Sequence, residues 1–174
     1  MATLTCPSTD LNFLSPNGFL LNIERLPKVN FFAQTVNLPS ITLPPLEQDT
    51  PLSFMKFPSD KLVFGEFNIT FNVDEQMNNW YEVFKWMQGL GFPEEYDQYT
   101  TENNRGLPGT SEQMRNYSDA TLIVLGANNV AVRTLVFKDC YPSSLSGVQF
   151  ATTNTDVQYV NATVGLEYSY FTVT

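Results

Sequence analysis

Residues 67–90 read FNITFNVDEQMNNWYEVFKWMQGL. The first seven alternate: Phe67, Ile69, Phe71 and Val73 fall on one side, and Asn68, Thr70 and Asn72 on the other. A period of two marks a strand with one buried face. The period then changes. Asp74 is placed as an N-cap and Glu75 suits a first helical turn. Met77, Trp80, Tyr81, Phe84 and Met87 follow at spacings of three and four, which predicts a helix over about residues 74–89. Gly89 and Gly91 end it, and Pro93 blocks its continuation. Val83, Trp86 and Leu90 widen the apolar arc, so that only Asn78, Glu82 and Lys85 mark a wet side. Fully burying a large apolar side chain stabilises by roughly 1.5–3 kcal/mol. The helix is therefore expected to lay one stripe on its own sheet and to offer Val83, Trp86 and Leu90 to a neighbouring subunit. The alternative is that Trp86 lies on a broad sheet of its own chain.

Working towards the N-terminus, residues 39–58 hold Pro39, Pro44, Pro45, Pro51 and Pro58 among Leu43, Leu46, Leu52, Phe54, Met55 and Phe57. A flexible linker is polar. This segment is apolar and stiffened by proline, and reads as a docking loop. Its target is its own domain or a neighbouring subunit; in the second case Leu46, Phe54, Met55 and Phe57 are the contacts. Gly18 to Arg25 and Val29 to Leu38 read as two strands of a hairpin joined by Leu26-Pro27-Lys28, and residues 1–17 as an irregular arm.

Towards the C-terminus, residues 92–118 form a long polar connection, acidic at its start. Asp119 to Leu125 and Val130 to Lys138 make a hairpin around Gly126-Ala127-Asn128-Asn129. Leu145 to Ala151 is a further strand, and Val157 to Thr172 the longest one. The elements together describe a mainly β, antiparallel chain with one flanking helix.

At 174 residues the chain fits a single domain, able to bury roughly two-thirds of the surface of its unfolded chain without disulfides or a metal. Aromatic residues are 14% of the sequence, which favours strands. Charged residues are only 16%, which fits either a surface covered by partners or one rich in Asn, Thr and Ser. The net charge of -9 is the wrong sign for gripping phosphates; it suits a conduit that must not hold DNA, or simple solubility. Cys6 and Cys140 are expected to be free thiols. Met1 to Leu20 lacks a basic region followed by an apolar run, so no signal peptide is expected, and no stretch has the apolar length of a membrane span. The sequons at Asn68, Asn116 and Asn161 are then chance matches.

The search for chemistry comes back empty. With no histidine, His-based proton shuttles and metal sites are ruled out, and the phosphate-loop, dinucleotide-loop and nucleophile-elbow patterns do not occur. Glu94, Glu95, Asp97, Glu102 and Glu112 could supply the two carboxylates of a glycosidase, but acidic loops are usually only solvated. Asp97 to Glu102 lacks the ligand pattern of a calcium loop. Arg25, Lys28, Arg105, Arg115 and Arg133 form no basic run. The sequence nominates no catalytic residue, no cofactor and no metal.

Four patches in order carry a resemblance. They are residues 31–39, closing on Leu38-Pro39; the strand and helix with Trp80, Phe84, Lys85 and Trp86; Asp139-Cys140-Tyr141-Pro142 followed by Val148-Gln149-Phe150; and Asp156 to Tyr159 running through Leu166-Glu167-Tyr168. On these, the chain resembles the tail tube proteins of contractile-tailed bacteriophages. The resemblance implies a two-sheet β-sandwich or barrel with one flanking helix, spanning residues 1–174 as a single domain. It also implies hexameric rings stacked as a tube, sheath and baseplate proteins as partners, and DNA passing through the lumen without specific binding. The place it implies is a virion tail, with synthesis in the host cytoplasm. The 92–118 connection departs from the family pattern and keeps open a related ring at the baseplate end that initiates the tube. From a different class, a carbohydrate-binding β-sandwich with an exposed aromatic platform is the alternative.

Overall fold

The computed structural model describes residues 13–91, 93–94, 116–151 and 159–174. The strand read first is there: β7 (Phe67–Asn72) buries Phe67, Ile69 and Phe71 completely. The remaining strands are β1 (Phe19–Ile23), β2 (Ala33–Asn37), β3 (Ile41–Thr42), β4 (Pro45–Asp49), β5 (Phe54–Pro58), β6 (Val63–Phe64), β8 (Ser118–Leu125), β9 (Ala131–Leu145), β10 (Asn161–Glu167) and β11 (Tyr170–Val173). Among the described residues the helices are α1 (Pro27–Phe32) and α2 (Asn78–Gly91). All pairings are antiparallel, and the main sheet runs β1-β8-β9-β10-β7-β2, with β11 added beside β9. The end strands β1 and β2 do not pair with each other, so the sheet folds over its core without closing into a barrel.

Strand β9 makes this folding over possible. Its first half pairs β8 and β11, and its second half pairs β10. Between Phe137 and Cys140 it holds one residue more than β8 does opposite, and Asp139 takes a left-handed φ of 57° there. Such a bulge bends the strand and increases its twist. Asp119 of β8 pairs with the Lys138 ammonium and accepts a bond from the Asp139 amide, which holds the bulge in place. The family resemblance implies a turn at Asp139 to Pro142, before the penultimate strand. The segment is a kink within one strand, and residues 146–151, expected as a separate strand, are irregular. The long final strand is likewise broken, with Tyr168 and Ser169 separating β10 from β11.

The expected hairpin of residues 18–38 is replaced by strand, helix, strand. Pro27 sits at the start of α1, where its fixed φ suits a helix and its missing N–H costs nothing. The Asn30 side chain then stands in for a strand partner: its Oδ1 accepts from the Ile23 amide at 2.9 Å and its Nδ2 donates to the Ile23 carbonyl at 2.9 Å. β1 goes on to pair β8, and β2 pairs β7, at opposite ends of the sheet.

Helix α2 starts at Asn78, three residues later than an N-cap at Asp74 predicts. Met77 has a φ of 55° and turns the chain, and Asn79 makes the junction. Its Oδ1 accepts from the amides of Asp74 (3.2 Å) and Trp80 (2.8 Å), and its Nδ2 donates to the Asn72 carbonyl (2.7 Å). Asn79 is fully buried, so replacing it with Ala should leave these groups unpaired, at about 1–3 kcal/mol for each orphaned group. Urea unfolding of Asn79→Ala would show this as a lowered midpoint; an unchanged midpoint would mean that water replaces the side chain.

The core gathers Ile23, Leu26, Val29, β7, the inner residues of β8 to β10, and Val83 and Trp86. Phe137 is its aromatic hub: it stacks on Phe67 at 4.3 Å between ring centroids and meets Tyr168 edge-on at 5.0 Å. Burial pushes the Tyr168 hydroxyl up to about 12, and that hydroxyl donates to the Gly65 carbonyl at 3.0 Å.

Candidate assembly surface

The proline-rich segment folds into an arm. β4 and β5 pair from Pro45↔Pro58 to Asp49↔Phe54. The turn between them is held by Thr50, whose amide donates to the Ser53 carbonyl at 3.2 Å while its hydroxyl accepts from the Ser53 amide at 3.2 Å. At the root, β3 pairs β6 through Ile41↔Phe64 and Thr42↔Val63. Residues directly opposite in a hairpin share a face. One face of the arm therefore carries Leu46, Phe57, Met55 and Gln48, and the other carries Glu47, Lys56, Asp49 and Phe54. Glu47 and Lys56 approach to 3.5 Å across the polar face.

Every residue of β4 and β5 is exposed. Leu46 is 60%, Met55 50% and Phe57 43% exposed, and Leu52 at the tip is 98% exposed. A lone two-stranded ribbon is marginal in water, and a row of uncovered apolar side chains on it suits an interaction site. Of the two expectations for this loop, docking of the β4–β5 ribbon on its own domain is not seen among the described residues, from which the arm stands off. Phe54 lies on the face opposite Leu46, Met55 and Phe57.

The helix corrects the sequence reading of its faces. Val83 is fully buried and Trp86 is only 2% exposed; both lie in this chain's own core and have no surface left for a neighbour. The Trp86 ring takes the Arg25 guanidinium at 5.0 Å, and its Nε1 donates to the Asn116 carbonyl at 3.1 Å. Leu90 is half-buried against the same core. The stripe assigned inward is split: Trp80 and Met87 are half-buried against the core, whereas Tyr81 and Phe84 are exposed, Trp80 and Phe84 stack at 5.5 Å, and Lys85 lies over Tyr81 at 4.8 Å. Periodicity revealed two apolar stripes 3.6 residues in period but did not rank them, so Tyr81 and Phe84 were missed as surface residues.

Near the root of the arm, Glu66 ties three strands together. Its Oε1 accepts from the hydroxyls of Ser143 (2.6 Å) and Ser144 (3.1 Å), and its Oε2 from Asn68 (3.4 Å). The carboxylate lies across Gly165, where a Cβ would run into both it and the Ser144 hydroxyl. The Ser143 hydrogen bond is the main cause that holds the Glu66 carboxyl below its usual value. A folded-state pKa that is depressed adds stability above the unfolded value, and that stability is lost as pH falls through the folded pKa. Glu66→Gln should therefore lower the urea midpoint at neutral pH and match the wild type in strong acid. A deficit that persists in acid would assign its effect to packing.

Among the described residues, no group of carboxylates and cysteines is placed to hold a metal ion, and no helix is long and apolar enough to cross a membrane. Of the carboxylates weighed for a glycosidase, Glu94 is exposed, and Glu95, Asp97, Glu102 and Glu112 lie outside the described residues, as do Cys6 and most of the N-terminal arm and the 92–118 connection.

In sequence, no protein-family model and no curated protein matches the chain. Solved structures do match it over nearly its whole length. A chain of the anti-feeding prophage cap, which terminates that particle's tube, aligns at a TM-score of 0.64 with 12% identity, covering 100% of this chain and 99% of its own. A chain of the anti-feeding prophage baseplate aligns at 0.59 with 11% identity, covering 98% and 97%. A chain of the sheath/tube terminator of the PVC extracellular contractile injection system aligns at 0.57 with 14% identity, covering 95% and 99%. Mainly antiparallel β, with an apolar arm standing off a folded-over sheet, the chain has the tail-tube fold shared with these components of contractile injection systems.

Proposed function

We propose that the chain is a structural subunit of the tube of a contractile tail or injection particle, closing into hexameric rings that stack on one another. The observation that carries this reading is the arm: Leu46, Met55 and Phe57 form an uncovered apolar face on a fold that tube components share. A head-to-tail contact closes a ring when its rotation closes, and an arm that stands off the body can reach the next copy. The sheath and baseplate are the partners that fit this place, nucleic acid is the cargo that fits the net charge of -9, and the particle's tail is the location, reached after synthesis in the host cytoplasm. The role is mechanical, without catalysis or cofactor.

Negative-stain images of the purified protein at high concentration should show rings and short stacks. Uniform monomers in every salt condition would count decisively against the reading. The likeness to tube-terminating and baseplate chains favours a second form, in which the ring begins or ends a tube. Quantitative mass spectrometry of particles separates the two, since an end ring is present in few copies and a repeated ring in many.

A further inference from the structure

The direction of the arm is decided at its root. Beyond the root, β4 and β5 pair only with each other among the described residues. The chain leaves the body after β2 and returns at Gly65 and Glu66, just before β7. The Gly65 amide donates to the Ser40 carbonyl at 2.9 Å, which ties the outgoing strand to the returning one. The Gly65 carbonyl accepts from the Tyr168 hydroxyl at 3.0 Å, and Phe64 beside it packs on Tyr168 and Phe171, at 6.0 and 5.5 Å between ring centroids. Glu66 reaches across β10 to β9, where the Ser143 and Ser144 hydroxyls hold its Oε1. The Ser143 hydroxyl also meets the Gly165 carbonyl at 3.1 Å. The fit is close: a Cβ at Gly65 would run into the Ser40 hydroxyl, and one at Gly165 into the Glu66 carboxylate. On the outgoing side, Leu43 and Pro44 each precede a proline, which favours extended backbone at both. The outer ribbon is thus carried on a stiff link and follows the root.

We propose that Glu66 is the positioning residue of the arm: its carboxylate, held by Ser143 and Ser144 of β9, sets the angle at which the arm leaves the body. The proposal rests on the reading of the arm as the ring contact and adds what aims it. A hydrogen bond to an ionised carboxylate is roughly twice as strong as a neutral one, so two hydroxyls on one oxygen make a firm anchor. Aim matters because a head-to-tail contact closes a ring only when its rotation closes. An arm free to swing about Gly65 would offer Leu46, Met55 and Phe57 at many angles and close few rings.

The test measures the angle in dispersed subunits. Spin labels at Ser53→Cys on the arm and Thr172→Cys on β11, both exposed positions, report the distance from tip to body by double electron–electron resonance in a Cys6→Ser background. Cys140 stays silent, because burial pushes its thiol up to about 12. With Glu66 in place the labelled subunit should give one narrow distance. Glu66→Ala should lose that narrow peak. So should Ser143→Ala with Ser144→Ala, which removes the grip from the other side and serves alone if Glu66→Ala does not fold. Glu66→Gln keeps an oxygen for the serines and should restore most of the peak. Rings should be lost in the variants that lose the peak. A broad distribution with Glu66 in place would overturn the proposal. So would a lowered urea midpoint with the peak intact, which makes Glu66 a strut of the body, or normal rings from a variant whose peak is gone. Failure of the unsubstituted protein to form rings would instead remove the ring reading, while the distances still decide what aims the arm.

Discussion

Trp86→Ala should largely unfold the isolated subunit. The indole is 2% exposed, covered by the Arg25 guanidinium and bonded to the Asn116 carbonyl. Truncating a buried Trp to Ala costs about 3–5 kcal/mol, out of the 5–15 kcal/mol or so that holds a typical domain. The lost indole N–H bond to the Asn116 carbonyl adds to the deficit. Circular dichroism with urea should show a large fall in midpoint, or a chain unfolded at the outset, and ring formation should fail with it. If the subunit keeps wild-type stability and loses only assembly, Trp86 is a contact between subunits after all.

The reverse outcome is expected for the arm. Phe57→Glu, alone or with Leu46→Glu, places charge on a face that is exposed among the described residues. Substitutions at such surface positions usually change stability within about 0.5 kcal/mol, so the urea midpoint should hold. Rings or stacks should be lost, because a carboxylate buried against an apolar partner surface goes unpaired. Analytical ultracentrifugation beside urea unfolding gives both readouts from one preparation. Assembly at the wild-type concentration threshold would rule the arm out as the main contact. Trp86 and Phe57 thus form a pair, each with a signature opposite to the other's.

The parts of the fold legible from sequence are those set by local pattern. The alternation of β7, the hairpin of β8 and β9 around its Gly-Asn turn, and the presence of a helix after Val73 all follow from periodicity and turn chemistry. What was not legible depends on tertiary partners. Val29 to Phe32 reads as strand until Asn30 is seen bonding Ile23, a contact that rewards helix at that point. Pro142 argues for a turn, yet it is tolerated within β9 opposite a register shift at Gly165 and Leu166, beside the bulge at Asp139. The helix stripes illustrate the same limit: the pattern shows that two faces are apolar, and only packing against α1 and β9 selects Val83 and Trp86 as the inner one. For the candidate surface, Leu46, Met55 and Phe57 were legible because proline and apolar residues rarely share a solvated loop, whereas their common face required the β4–β5 register.

The strand order also governs when a subunit becomes competent. β10, residues 161–167, lies in the middle of the sheet between β9 and β7, and β1 finds its partner in β8, about a hundred residues later. Pairings so distant in sequence fold slowly, on a scale of roughly milliseconds to seconds. A nascent chain that has not yet delivered residue 161 leaves one edge of β7 bare and Phe67 without Leu166 opposite. Its hydrophobic centre stays open although the arm of residues 45–58 has already been made. Synthesis from the N-terminus thus delivers the exposed arm early and the strand that completes the body late.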